Sequence, residues 1–124
     1  MKLARLFAPL MVAVALVAPA TAPAAHAEPS PVQMVITPGG RLAPVKNFVT
    51  KSQWQIVKNL DANLHSIEIK NRENPTITSG QQQIAAGASK AFQPWAGQTH
   101  NGPLTRLYNV YLDNSLAAVI TVID

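Results

Sequence analysis

Residues 104–124 read LTRLYNVYLDNSLAAVITVID, and this stretch decides the fold class. The flanks 104–112 and 115–124 are rich in Leu, Val, Ile, Thr and Tyr, most of which favour a pleated, half-buried surface. Asp113-Asn114 lies between them. Both residues tolerate positive φ better than most, so the pair suits a two-residue hairpin turn. The pattern predicts Leu112 opposite Ser115, Val110 opposite Ala117 and Tyr108 opposite Val119. On the other face Tyr111 meets Leu116 and Leu107 meets Ile120. Both faces are largely apolar. Such a hairpin belongs in a sheet covered on both sides, or covered on one side by a partner. Residues 116–123 carry no charge, so an exposed C-terminal hairpin also offers a route to self-association.

Working outward, Trp54, Ile56, Lys58 and Leu60 alternate with Gln55, Val57 and Asn59. His65, Ile67 and Ile69 alternate just downstream. A turn at Ala62-Asn63 would set Leu60 opposite His65, Lys58 opposite Ile67 and Ile56 opposite Ile69. That register gathers Trp54, Ile56, Leu60, Ile67 and Ile69 on one side. Residues 32–37 read as a short strand. Residues 42–50 hold Pro44, so a strand there is an edge or starts after the proline. Gly87 within residues 84–91 costs a helix about 1 kcal/mol, which favours strand–turn–strand. Residues 94–103 form the longest turn-rich loop. Breakers recur at roughly ten-residue intervals without a helical period. The expected fold is an antiparallel β-sandwich or small barrel of about six to eight short strands.

The N-terminus reads as an address. Lys2 and Arg5 precede an uncharged apolar run, residues 6–18, and Ala25-His26-Ala27 is a small-x-small site. This is the pattern of a secretory signal peptide cut after Ala27. It predicts a secreted, extracellular chain of residues 28–124, one β-rich domain with a loose arm at 28–31. The apolar run falls short of the roughly 20 residues that a membrane span needs. The Ala/Pro/Val-heavy leader has the composition of bacterial leaders from GC-rich genomes.

Removing Lys2 and Arg5 leaves eight Lys/Arg against six Asp/Glu, a charge of +2. The eight are dispersed, so no stripe tracks a phosphate backbone and nucleic acid is not an expected partner. The chain has no cysteine, which excludes disulfides and thiol chemistry. Its apolar content of 48% against 13% charged residues is that of a packed domain.

Reactive centres are hard to assemble from these residues. A nucleophile needs a histidine oriented by a carboxylate. His65 falls on the expected apolar face and reads as a packed or rim residue. His100 falls in a polar loop. No G-x-S-x-G, H-E-x-x-H or phosphate-loop pattern occurs. Within residues 28–124, two histidines and scattered acids do not make a zinc site, and no metal or cofactor is expected. The chain is expected not to be an enzyme.

Trp95 is the more informative aromatic. It sits in the loop Pro94-Trp95-Ala96-Gly97, followed by His100 and Asn101, with Arg106 close behind. A loop tryptophan beside hydrogen-bonding side chains can stack on a sugar, a peptide or a lipid headgroup, or it can cap one end of the core. Tyr108 and Tyr111 point to opposite faces, one toward the core and one beside Arg106. Gln53-Trp54, Ile56-Val57 and Ile67-Glu68-Ile69-Lys70-Asn71 resemble the opening hairpin of the aegerolysins, small β-sandwich proteins that bind membrane lipids. The likeness is confined to residues 53–71, and that family's cysteine and later aromatic-rich segment have no counterpart here. It implies lipid as an alternative ligand.

The sequence therefore leads to a secreted, non-catalytic binding protein that recognises an extracellular carbohydrate, peptide or protein through Trp95, His100, Asn101 and Arg106. The alternatives are a self-associating or membrane-active surface protein, or a secreted enzyme inhibitor.

Overall fold

The computed structural model describes residues 32–123. The expected leader, its cleavage after Ala27 and the arm at 28–31 lie outside them. Nine strands form two packed sheets. The first sheet has the order β2-β1-β4-β7, built from β1 (Val32–Ile36), β2 (Leu42–Ala43), β4 (Gln55–Asn59) and β7 (Ser89–Phe92). The second has the order β3-β9-β8-β5-β6. Its strands are β3 (Lys46–Thr50), β5 (His65–Asn71), β6 (Gln82–Ile84), β8 (Leu107–Leu112) and β9 (Ser115–Ile123). The β-sandwich is the fold class expected, with nine strands among the described residues, Pro44 separating β2 from β3 and Gly87 separating β6 from β7. Two pairings are parallel, β1 with β4 and β3 with β9, because the chain changes sheets between these strands.

Met34 and Ile36 of β1, Val57 of β4 and Phe92 of β7 meet Ile67, Ile69, Tyr108, Val110, Ile120 and Val122 of the second sheet. Burying a large apolar side chain contributes about 1.5–3 kcal/mol, so this shared layer is the main cohesive term.

The β8–β9 hairpin turns at Asp113 and Asn114, with φ of 51° and 70°. Leu112 pairs with Ser115 and Tyr111 with Leu116, as the pattern predicts. The register then shifts between Val110 and Tyr111, so Val110 faces Ala118 and Tyr108 faces Ile120. This corrects the expected pairing of Val110 with Ala117. The physical reason is side-chain volume. One extra residue brings Ala118, Ile120 and Val122 to the core face, where a regular ladder would place Ala117, Val119 and Thr121.

Strands β4 and β5 do not form a hairpin. They belong to different sheets, and residues 60–64 cross between them. The inward face of β4 is Gln55, Val57 and Asn59, while Trp54 and Leu60 are nearly half exposed. Buried amides explain the inversion. Asn59 Nδ2 donates to the carbonyls of Asn63 (2.7 Å) and Ile84 (2.9 Å), and its Oδ1 accepts from the Asp61 amide (2.9 Å). Gln55 Nε2 donates to the Val32 and Ile56 carbonyls, both at 3.0 Å, and its Oε1 accepts from Asn47 of β3 at 2.8 Å. These side chains stitch one sheet to the other, so burial costs them little. With β4 and β5 apart, the hairpin that carried the aegerolysin likeness is absent.

Candidate functional site

At one end of the sandwich, the crossing segment and the β8–β9 tip converge on His65. Its Nε2 lies 2.6 Å from Asp61 Oδ2 and its Nδ1 lies 2.6 Å from Asp113 Oδ2. Asp113 Oδ1 also accepts from the Ser66 amide at 2.9 Å. Gly40, at φ 77°, closes a tight turn beside the imidazole. A ring with a carboxylate on each nitrogen carries both protons. Hydrogen bonds to Asp61 and then Asp113 raise the His65 pKa above its ordinary value despite partial burial. The bond from His65 is the main cause that lowers the Asp61 pKa. At Asp113, burial pushes upward, but the Ser66 amide and His65 outweigh it and the pKa falls. An imidazolium in this state has no free lone pair with which to take a proton. The arrangement clamps two loops together.

At the opposite end, the structure draws Trp95, His100 and Arg106 into packing contacts. Trp95 is 1% exposed, stands edge-on to Tyr108 with ring centroids 5.4 Å apart, and donates from Nε1 to the Gln53 carbonyl at 3.0 Å. Of the two readings the sequence left open, stacking on a ligand or capping the core, the enclosed ring fits the cap. His100 Nε2 lies 2.9 Å from the Tyr108 hydroxyl. Arg106 reaches the carbonyls of Val122 (3.4 Å) and His100 (3.5 Å). Asn101 alone of the four is largely solvent-exposed. Tyr108 is the core tyrosine; Tyr111 is half-buried on the outer face, with Lys70 Nζ 5.4 Å from its ring centroid.

The surface that composition signalled without locating is the outer face of the second sheet. Strand alternation sends Lys46 and Phe48, Val119 and Thr121, Leu107 and Tyr111, and Lys70 outward. Pairing aligns Phe48 with Thr121 and Thr121 with Leu107; the Arg72 amide then bonds the Leu107 carbonyl at 2.8 Å. Among the described residues no element covers this face, and Phe48 is 56% exposed. A groove of about 300 Å³ lies here, lined by Lys46, Phe48, Arg72, Leu107, Val119 and Thr121. Arg72 donates from Nε (3.1 Å) and Nη2 (2.9 Å) to Asn109 Oδ1, which fixes the guanidinium.

No family model matches the sequence, and no curated protein matches it. The fold is similar to that of a solved structure, a purple cupredoxin from Nitrosopumilus maritimus, with a TM-score of 0.53 and 13% identity. The alignment covers 74% of this chain and 99% of that one. The likeness is one of fold, a cupredoxin-like β-sandwich.

Copper of the blue type is built on a cysteine thiolate with two histidines, and the residues present do not fit it. The sequence has no cysteine. His65 and His100 lie at opposite ends of β5, one in the carboxylate clamp and the other on Tyr108, which pairs with Asn71. Met34 is wholly buried in the core. Among the described residues no group of three or more His, Cys, Asp or Glu is arranged to hold a metal ion.

Proposed function

We propose that this chain is a secreted, non-catalytic binding protein, released by cleavage after Ala27, whose working surface is the outer face of the five-stranded sheet. The observation that carries this reading is the outward-facing strip Phe48–Thr121–Leu107, exposed at Phe48 and half-buried at the other two, flanked by Lys46 and Arg72. A solvated sheet face ordinarily turns polar residues outward; this one also turns Phe48, Leu107, Val119 and Tyr111 outward, among Lys46, Glu68, Lys70 and Asn109. The sandwich serves as a rigid platform, with the His65 clamp at one end and the Trp95–Tyr108 cap at the other holding the two sheets in register.

The binding surface is this face and not the loop from Trp95 to Asn101, and its partner is extracellular. Self-association through this face is disfavoured, since a second copy would bring the same lysines and arginine against one another. Immobilised protein incubated with culture fluid tests the reading. Phe48→Asp should lose whatever the wild type retains, and Leu64→Asp, on the clamp loop, should not. Equal retention by both variants contradicts it.

A further inference from the structure

The groove on this face has a definite chemistry. It is concave, and its volume of about 300 Å³ matches the lower end of small-molecule sites, about 300–1,000 Å³. Its floor is Leu107, Val119 and Thr121, with Phe48 along one side. Two cations line it and no carboxylate does. Neither Lys46 nor Arg72 makes an ion pair among the described residues. Arg72 is oriented in advance by Asn109, so binding an anion there costs little side-chain ordering.

We propose that this groove binds a small amphiphilic carboxylate, its apolar body on Leu107, Val119 and Phe48 and its acid group between Lys46 and Arg72. The inference rests on the reading of the outer face as the binding surface and names the ligand class. Charge complementarity selects an anion. The apolar floor selects an anion with a hydrocarbon body over inorganic phosphate or sulfate. The concavity selects a small molecule over a flat lipid surface, and the shared cationic rim disfavours a second copy.

The test uses isotope-labelled protein purified from culture fluid, titrated with octanoate and followed by amide resonances. Saturable shifts should appear at Phe48, Leu107, Val119 and Thr121, with a dissociation constant on the order of millimolar. Octylamine and 1-octanol should bind about tenfold more weakly, having no charge-assisted bond to the cations. Arg72→Gln should weaken octanoate by about the same factor and leave 1-octanol unchanged. Arg72 is exposed, so the variant's remaining resonances should overlay the wild type's. The proposal is overturned if octanoate leaves these amides unmoved or if octylamine binds as tightly. It is equally overturned if they respond only to phosphatidylglycerol vesicles, to an acidic peptide or to protein concentration. Should Phe48→Asp still abolish capture from culture fluid while octanoate does nothing, the face survives as a binding surface and the carboxylate assignment falls.

Discussion

His65 Nδ1 lies 2.6 Å from Asp113 Oδ2, although 48 residues separate the two in the chain. The contact joins the start of β5 to the tip of the β8–β9 hairpin, and Asp61 holds the other ring nitrogen from the crossing segment. Three charged groups thereby fasten one end of the sandwich.

The clamp makes stability depend on pH. His65 has a raised folded pKa, so its contribution is complete below its unfolded value of about 6.5 and disappears as pH rises through the folded value. Asp61 and Asp113 have lowered folded values. Their contribution is complete above the unfolded carboxylate value and disappears as pH falls through the folded ones. The clamp is therefore strongest between about pH 4 and pH 6.5. His65→Gln should lower the Tm by roughly 5 °C in that window and by progressively less at alkaline pH. A variant deficit that grows with pH above neutrality would contradict the assignment of an imidazolium.

Asn59→Leu places a greasy residue at a buried position and should nonetheless destabilise by roughly 3 kcal/mol. It leaves the Asn63 and Ile84 carbonyls and the Asp61 amide without their partner. Urea unfolding measures this directly, and a rise in the midpoint would refute the stitching role of the amide.

Trp95→Ala should cost about 3–5 kcal/mol, since it opens a cavity beside Tyr108 and removes the bond to the Gln53 carbonyl. A fully stable variant would show that the ring does not cap the core.

The shifted register in β9 separates two deletions. Removing Ala117 takes out the extra residue and keeps Ile120 and Val122 facing inward. Removing Val119 as well, with no spare residue left in β9 to absorb the loss, turns both outward. The first protein should keep a cooperative thermal transition and the second should lose it, as circular dichroism would record.

What the sequence disclosed followed from local chemistry. Asp113-Asn114 announced its turn because two positive-φ residues between β-branched runs admit few alternatives. Pro44 and Gly87 marked breaks for the same reason. The face of β4 was not legible, because alternation gives a period without a direction. Only the partners of Gln55 and Asn59, supplied by distant backbone, show that the amides point inward. The parallel pairs β1–β4 and β3–β9 were hidden, since such contacts leave no trace at short spacing. Trp95 could be read either way until Tyr108 was seen beside it. The apolar character of both hairpin faces was visible in residues 104–124; the groove was not, because Lys46 of β3 and Arg72, just past the end of β5, reach it from distant parts of the chain.

Lys46 stands on the edge strand of the proposed binding face. Amine-reactive labelling should be carried out on the protein in its own culture fluid and again after extensive purification, with peptide mass analysis of each lysine. A bound partner shields Lys46 in culture fluid, so its labelling should rise on purification while that of Lys51, on the turn beyond β3, stays constant. Equal labelling of Lys46 in both samples would contradict a working surface on the outer face of the five-stranded sheet.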